Sequence, residues 1–93
     1  MLMEYCNLKV GGLYKIDEEA GWKHALLDLN PNDAMCSPIN ILHPGEIFMI
    51  LDIDYWEPGD HSSFYEDHVC LQILQEELVG WIIVLPNDVI PIE

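Results

Sequence analysis

The chain has 93 residues, enough for one domain with its own core and too few for two. Hydrophobic residues make up 51% of it, which argues against a disordered chain, yet 17 acids face only 3 lysines and no arginine, for a net charge of −14. A surface of that sign repels phosphate, so neither direct nucleic-acid binding nor docking on an anionic membrane is expected, and electrostatics favours basic proteins or cations as partners.

Taken in chain order, the apolar pieces are short, rich in β-branched and aromatic residues, and cut at close intervals by Gly, Pro, Asn and Asp. None keeps a helical period without a breaker, so the chain is predicted to be all-β over 1–93 as a single domain. The first strand is expected at 8–16, bent at Gly11-Gly12, followed by weaker extended pieces at 24–29 and 39–42 on either side of the turn Asn30-Pro31-Asn32-Asp33. Residues 46–54 form the clearest strand: Ile47, Met49, Leu51 and Ile53 share one face, while the other runs from Phe48 and Ile50 to Asp52 and Asp54. That strand is expected to be buried on both faces at its start and to emerge into solvent at its end. Residues 68–75 and 78–85 read as a hairpin turning through Gln75-Glu76-Glu77, and 89–92 as a last strand. Five or six strands in so short a chain must hide their edges, which predicts a small barrel with long first and second loops.

The order of these pieces resembles an SH3-like barrel. The resemblance covers most of the chain from Lys9 onward and rests on "KVGGLYKI", "GEIFMILDID" and the closing "GWIIVLPNDVIPIE". It implies a short 3₁₀ turn at Pro86-Asn87-Asp88 before the final strand. The opening and closing motifs are also similar to small SH3-like proteins of tailed-phage and other viral genomes. Tyr14 and the acidic Asp17, Glu18 and Glu19 match features of peptide-binding SH3 domains. The tryptophan that opens the third strand in those domains is replaced here by His68-Val69-Cys70.

Charge is unevenly spread. Lys9, Lys15 and Lys23 lie in the first quarter, and from His24 onward there are 13 acids and no Lys or Arg. The densest polar segment is "DIDYWEPGDHSSFYEDH", and the candidate binding surface is taken from it: Asp52, Asp54, Tyr55, Trp56, Glu57, Asp60, His61, Phe64, Tyr65, Glu66 and Asp67. Its aromatics either fold back as a lid or form contact anchors inside an acidic rim. Tyr14 and Trp81 are expected in the core.

Catalytic signatures are missing from the pattern. The acidic segment does not keep calcium-loop spacing, no two histidines stand at i, i+4, and no glycine-rich phosphate loop follows a strand. Ser62-Ser63 beside His61 lacks an orienting partner and oxyanion donors in the sequence pattern. His24 and His43 read as hydrogen-bonded structural residues. Cys6, Cys36 and Cys70 are odd in number and at no metal-ligand spacing, which suggests free thiols. The start, Met1-Leu2-Met3-Glu4, has no signal-peptide pattern, and the longest apolar run, 81–86, is strand length.

The expectation is a non-catalytic acidic interaction module without cofactor. It would work in the cytoplasm or in a virion or other assembly built there, and bind a basic protein or associate with itself. Two other readings are a DNA mimic, whose carboxylates imitate phosphates (Asp52 and Asp54 would stand about 6.6–6.8 Å apart along a strand), and a metal-dependent enzyme using the 52–68 His/acid loop.

Overall fold

A computed structural model describes residues 8–55 and 68–92; of Tyr55 only the backbone is described. Seven strands form: β1 (Leu13–Ile16), β2 (His24–Leu27), β3 (Pro38–Leu42), β4 (Ile47–Tyr55), β5 (Val69–Gln75), β6 (Leu78–Val84) and β7 (Val89–Pro91). All pairings are antiparallel, in one sheet of order β3-β2-β6-β5-β4-β1-β7.

All seven strands send side chains into a single cluster, among them Ile16, Leu26, Leu42, Phe48, Ile50, Leu71, Ile73, Ile82, Val84 and Val89. Seven flat strands at about 4.8 Å spacing would hold the two end strands some 29 Å apart. Leu42 of β3 and Val89 of β7 can share one core only because the sheet curls around it. It does not close, since β3 and β7 are not paired with each other.

Several expectations change in number and placement. The strands are seven, not five or six, because the two weak pieces flanking the Asn-Pro-Asn-Asp turn pair as the hairpin β2–β3, which extends the sheet past β6. The first strand begins at Leu13, not at residue 8. A turn at Lys9–Gly12 interrupts it: Gly12 donates to the Lys9 carbonyl at 3.1 Å, and Gly11 takes φ +89°. Leu8 is nonetheless buried, and the Lys9 N–H donates to the Tyr14 hydroxyl at 2.9 Å.

β4 holds the main correction. Ile47, placed on a buried face by alternation, is 52% exposed, whereas Phe48 and Ile50 are buried. Ile50 pairs with Ile73 and Asp52 with Gln72, leaving Leu51 without a partner position. That extra residue is a β-bulge, and it exchanges the two faces. Before it even-numbered residues face the core; after it Ile53 packs there and Asp52 and Asp54 take the outer face.

The closing half matches the expectation closely. β5 and β6 turn through Glu76-Glu77, with Glu76 in the left-handed region at φ +56°. Pro86–Asp88 is a 3₁₀ turn; Pro86 starts it without needing an N–H, and Val89 donates back to the Pro86 carbonyl. The turn is tied to β1 by the Asp17 N–H, which donates to the Asp88 carbonyl at 2.8 Å. Trp81 is buried as expected but not within the main core. It alternates with the core residues Gly80 and Ile82, and it lies opposite Leu27 and Gln72 on the other face of the sheet.

Candidate interaction surface

The outer face of β4 carries Asp52 and Asp54 because the bulge turned them there. Asp52 is exposed, and its Oδ1 accepts the N–H of Ile53 at 2.9 Å. Asp54 is half-buried. Its Oδ2 accepts the side-chain amides of Asn30 at 2.9 Å and Asn32 at 3.3 Å.

Those two asparagines belong to the loop of the β2–β3 hairpin, which is ordered from within. Asn30 Oδ1 accepts the Asn32 N–H at 2.9 Å, the Asx turn that an Asn-Pro-Asn sequence favours. At the loop's base Asp28 donates its N–H to the Ser37 carbonyl at 3.1 Å and accepts the Ser37 N–H on Oδ1 at 2.9 Å. The Cys36 thiol lies 3.2 Å from the carbonyls of Leu29 and of Ala34. These bonds tie the loop to itself at its tip and at its base. The loop fastens the segment carrying Asp28 and Asp33 onto the end of β4 that carries Asp52 and Asp54, and from which the chain runs into 56–67.

Of the candidate residues read from the sequence, Asp52 and Asp54 are brought together on one face, and the backbone of Tyr55 pairs with Val69. Trp56, Glu57, Asp60, His61, Phe64, Tyr65, Glu66 and Asp67 lie outside the described residues. Sequence reasoning missed Asn30 and Asn32 as site residues. Their signal was present as a turn motif, but nothing local shows which carboxylate such a turn will meet. It also passed over Trp22, which stands 68% exposed between β1 and β2.

The remaining polar groups are dispersed. His43 is exposed and sits 3.6 Å from Glu46, whose Oε1 also accepts the His43 N–H and the Gln75 side-chain amide, each at 2.9 Å. His24, at the start of β2, is partly buried, and its Nδ1 has no hydrogen-bond partner. Burial pushes its pKa below the ordinary value, Asp88 and a backbone bond at Trp22 pull it upward, and His68 adds to the depression. Cys36 and Cys70 are free thiols. Burial, with the nearby Asp54 charge and Cys36, pushes the Cys70 thiol up to about 12.

Among the described residues no three His, Cys, Asp or Glu side chains group as a metal would require, and no helix is long and apolar enough to cross a membrane. No protein-family model matches the chain, and no match to a curated protein or a solved structure was found.

Proposed function

We propose that the chain is a non-catalytic, acidic SH3-like interaction module that receives a basic segment of a protein partner. The observation that carries this reading is the clamp of Asn30 and Asn32 on Asp54, which joins two acidic segments distant in sequence into one surface. Carboxylates held on such a surface select a partner by sign and speed its approach more than they add raw affinity. The SH3-like part is supported by the 3₁₀ turn before the last strand, by the return of β7 to pair with β1, and by the β5–β6 hairpin beside β4. Action in the cytoplasm or in a virion assembled there is part of the proposal and rests on the resemblance to small phage SH3-like proteins.

The test is affinity capture from the native host, followed by titration of the identified partner at 50 and 300 mM salt. Wild type is compared with Asp52→Asn and with the double variant Asp33→Asn/Asp52→Asn. Affinity is expected to fall with salt and with each charge removed. A complex indifferent to both overturns the reading. A captured nucleic-acid enzyme that DNA displaces from the complex would transfer the conclusion to a DNA mimic.

A further inference from the structure

The solvent side of the sheet carries an apolar row in cross-strand register. Leu13 of β1 lies opposite Met49 of β4, Met49 opposite Leu74 of β5, and Leu74 opposite Val79 of β6. Opposed residues share a face. This one looks away from the core, because the buried Tyr14, Phe48, Ile73 and Gly80 alternate with them along the strands. Leu13 and Val79 stand 46% and 47% exposed, a large apolar surface for so acidic a chain. Two ladder positions to one side, about 6.8 Å away, Lys15 lies between Ile90 and Ile47, the latter 52% exposed. Two ladder positions to the other side, the bulge puts Asp52, not Leu51, on the same face opposite Gln72.

The charges at the two flanks decide what can cover this face. Lys15 is one of three lysines among 17 acids, yet among the described residues it makes no ion pair, and Asp52 makes none either. A fitting partner is apolar at its centre, brings a carboxylate to Lys15 and brings a cation to Asp52. A second copy meets all three conditions through symmetry. A twofold axis laid along the Leu13–Met49–Leu74 row exchanges the two flanks and leaves each strand over its own counterpart. It brings Asp52 of the second copy to the level of Lys15, about 4.8 Å (one strand spacing) to the side, and the reverse pair forms at the other flank. Two sheets packed face to face lie about 10 Å apart, a gap that a lysine stem and an aspartate together span.

We propose that this face pairs two copies of the chain into a symmetric dimer, held by the apolar row and by two reciprocal Lys15–Asp52 ion pairs. The sheet is curled, so the contact centres on β1, β4 and β5 and falls below about 1,200 Å². Bodies of charge −14 also repel, and the dimer is accordingly weak. Asp52 also belongs to the surface proposed for a basic partner, so the two associations compete for it.

Sedimentation equilibrium of the full chain in about 0.15 M salt, at concentrations up to about 1 mM, tests this. Lys15→Asp and Asp52→Lys should each raise the dissociation constant at least about tenfold. Asp52→Lys is the stricter variant, because it lowers the net negative charge and would tighten a dimer opposed only by general repulsion. The exchange Lys15→Asp/Asp52→Lys keeps the net charge of wild type and should restore the dimer to within about threefold of it. Leu13→Gln changes no charge and should weaken the dimer about tenfold by removing apolar contact. If Lys15→Asp fails to fold, Asp52→Lys and Leu13→Gln decide the matter. A monomeric wild type, a tighter dimer in Asp52→Lys, a dimer indifferent to Leu13→Gln, or an exchange variant that folds without restoring the dimer would overturn the proposal.

Discussion

The Asn30 side-chain amide donates to the Asp54 carboxylate at 2.9 Å across 24 residues of chain, fastening the tip of the β2–β3 hairpin to the end of β4, three places from β2 in the sheet order. A hydrogen bond to a charged, partly buried group contributes about 1.5–3 kcal/mol. With Asn32 still reaching the same oxygen, Asn30→Ala is predicted to cost about 1–2 kcal/mol. The change should appear as a lower urea midpoint at constant m-value. Asn30→Asp should cost more, because it sets a second carboxylate against the first. An unchanged midpoint in both variants would show that the clamp contributes nothing.

Gly80 lies where β6 pairs with β2. A Cβ there would stand 2.6 Å from Leu26 Cγ, 2.8 Å from the Leu27 carbonyl oxygen and 2.9 Å from Leu26 Cδ1. Two of those atoms belong to a fully buried leucine and the third to backbone, so none can retreat freely. Gly80→Ala is predicted to destabilise by about 1–3 kcal/mol. Gly11→Ala offers the contrast: nothing lies within 4 Å, but φ is +89°, so only backbone strain of about 1 kcal/mol is expected. Thermal melts of both variants would separate steric from conformational cost.

Acid should weaken the fold through His24. Its pKa is depressed in the folded state, chiefly by burial, below the ordinary value of 6.5. The unfolded chain therefore takes up the proton first. The stability contributed by neutral His24 is fully present above pH 6.5 and is lost as pH falls from there through the folded-state value. Neutralising the many carboxylates acts the other way by reducing self-repulsion, so the comparison must be differential. Between pH 7.5 and 5.5, His24→Gln should lose less stability than wild type in parallel urea titrations. Identical pH profiles would rule out this role.

The two described thiols should react at very different rates. Cys70 is fully buried, and with its pKa at about 12 only about one thiol in ten thousand is ionised at pH 8. Iodoacetamide on the native protein should modify Cys36 well before Cys70, with Cys70 labelled only after urea is added. Peptide mass spectrometry reads this directly. Early labelling of Cys70 would mean that its face of the sheet opens readily.

Much of the strand plan was legible because Gly, Pro, Asn and Asp mark nearly every boundary, and the Pro86 turn carries its own chemistry. Faces were less legible. Residues 47–51 are all apolar, so alternation there carries no information, and an inserted residue such as Leu51 leaves no trace in composition. Trp81 was recognised as buried, but which face of β6 it takes was not legible, since both faces of that strand carry apolar residues. The clamp at Asp54 was beyond reach for a different reason: the turn-forming asparagines are visible locally, while their acceptor is set by how the hairpin folds back.

The bulge in β4 also has a consequence for how this strand can vary. Substitution to polar residues should be tolerated at odd positions before Leu51 and at even positions after it, so the rhythm of permissible change skips a beat within a single strand. Deleting Leu51 would remove the skip while leaving Ile50 opposite Ile73, Asp52 opposite Gln72 and Ile53 opposite Leu71. Ile53 would still face the core and the aspartates the outside, so this one-residue deletion should cost far less than a deletion that shifts the register of the strand.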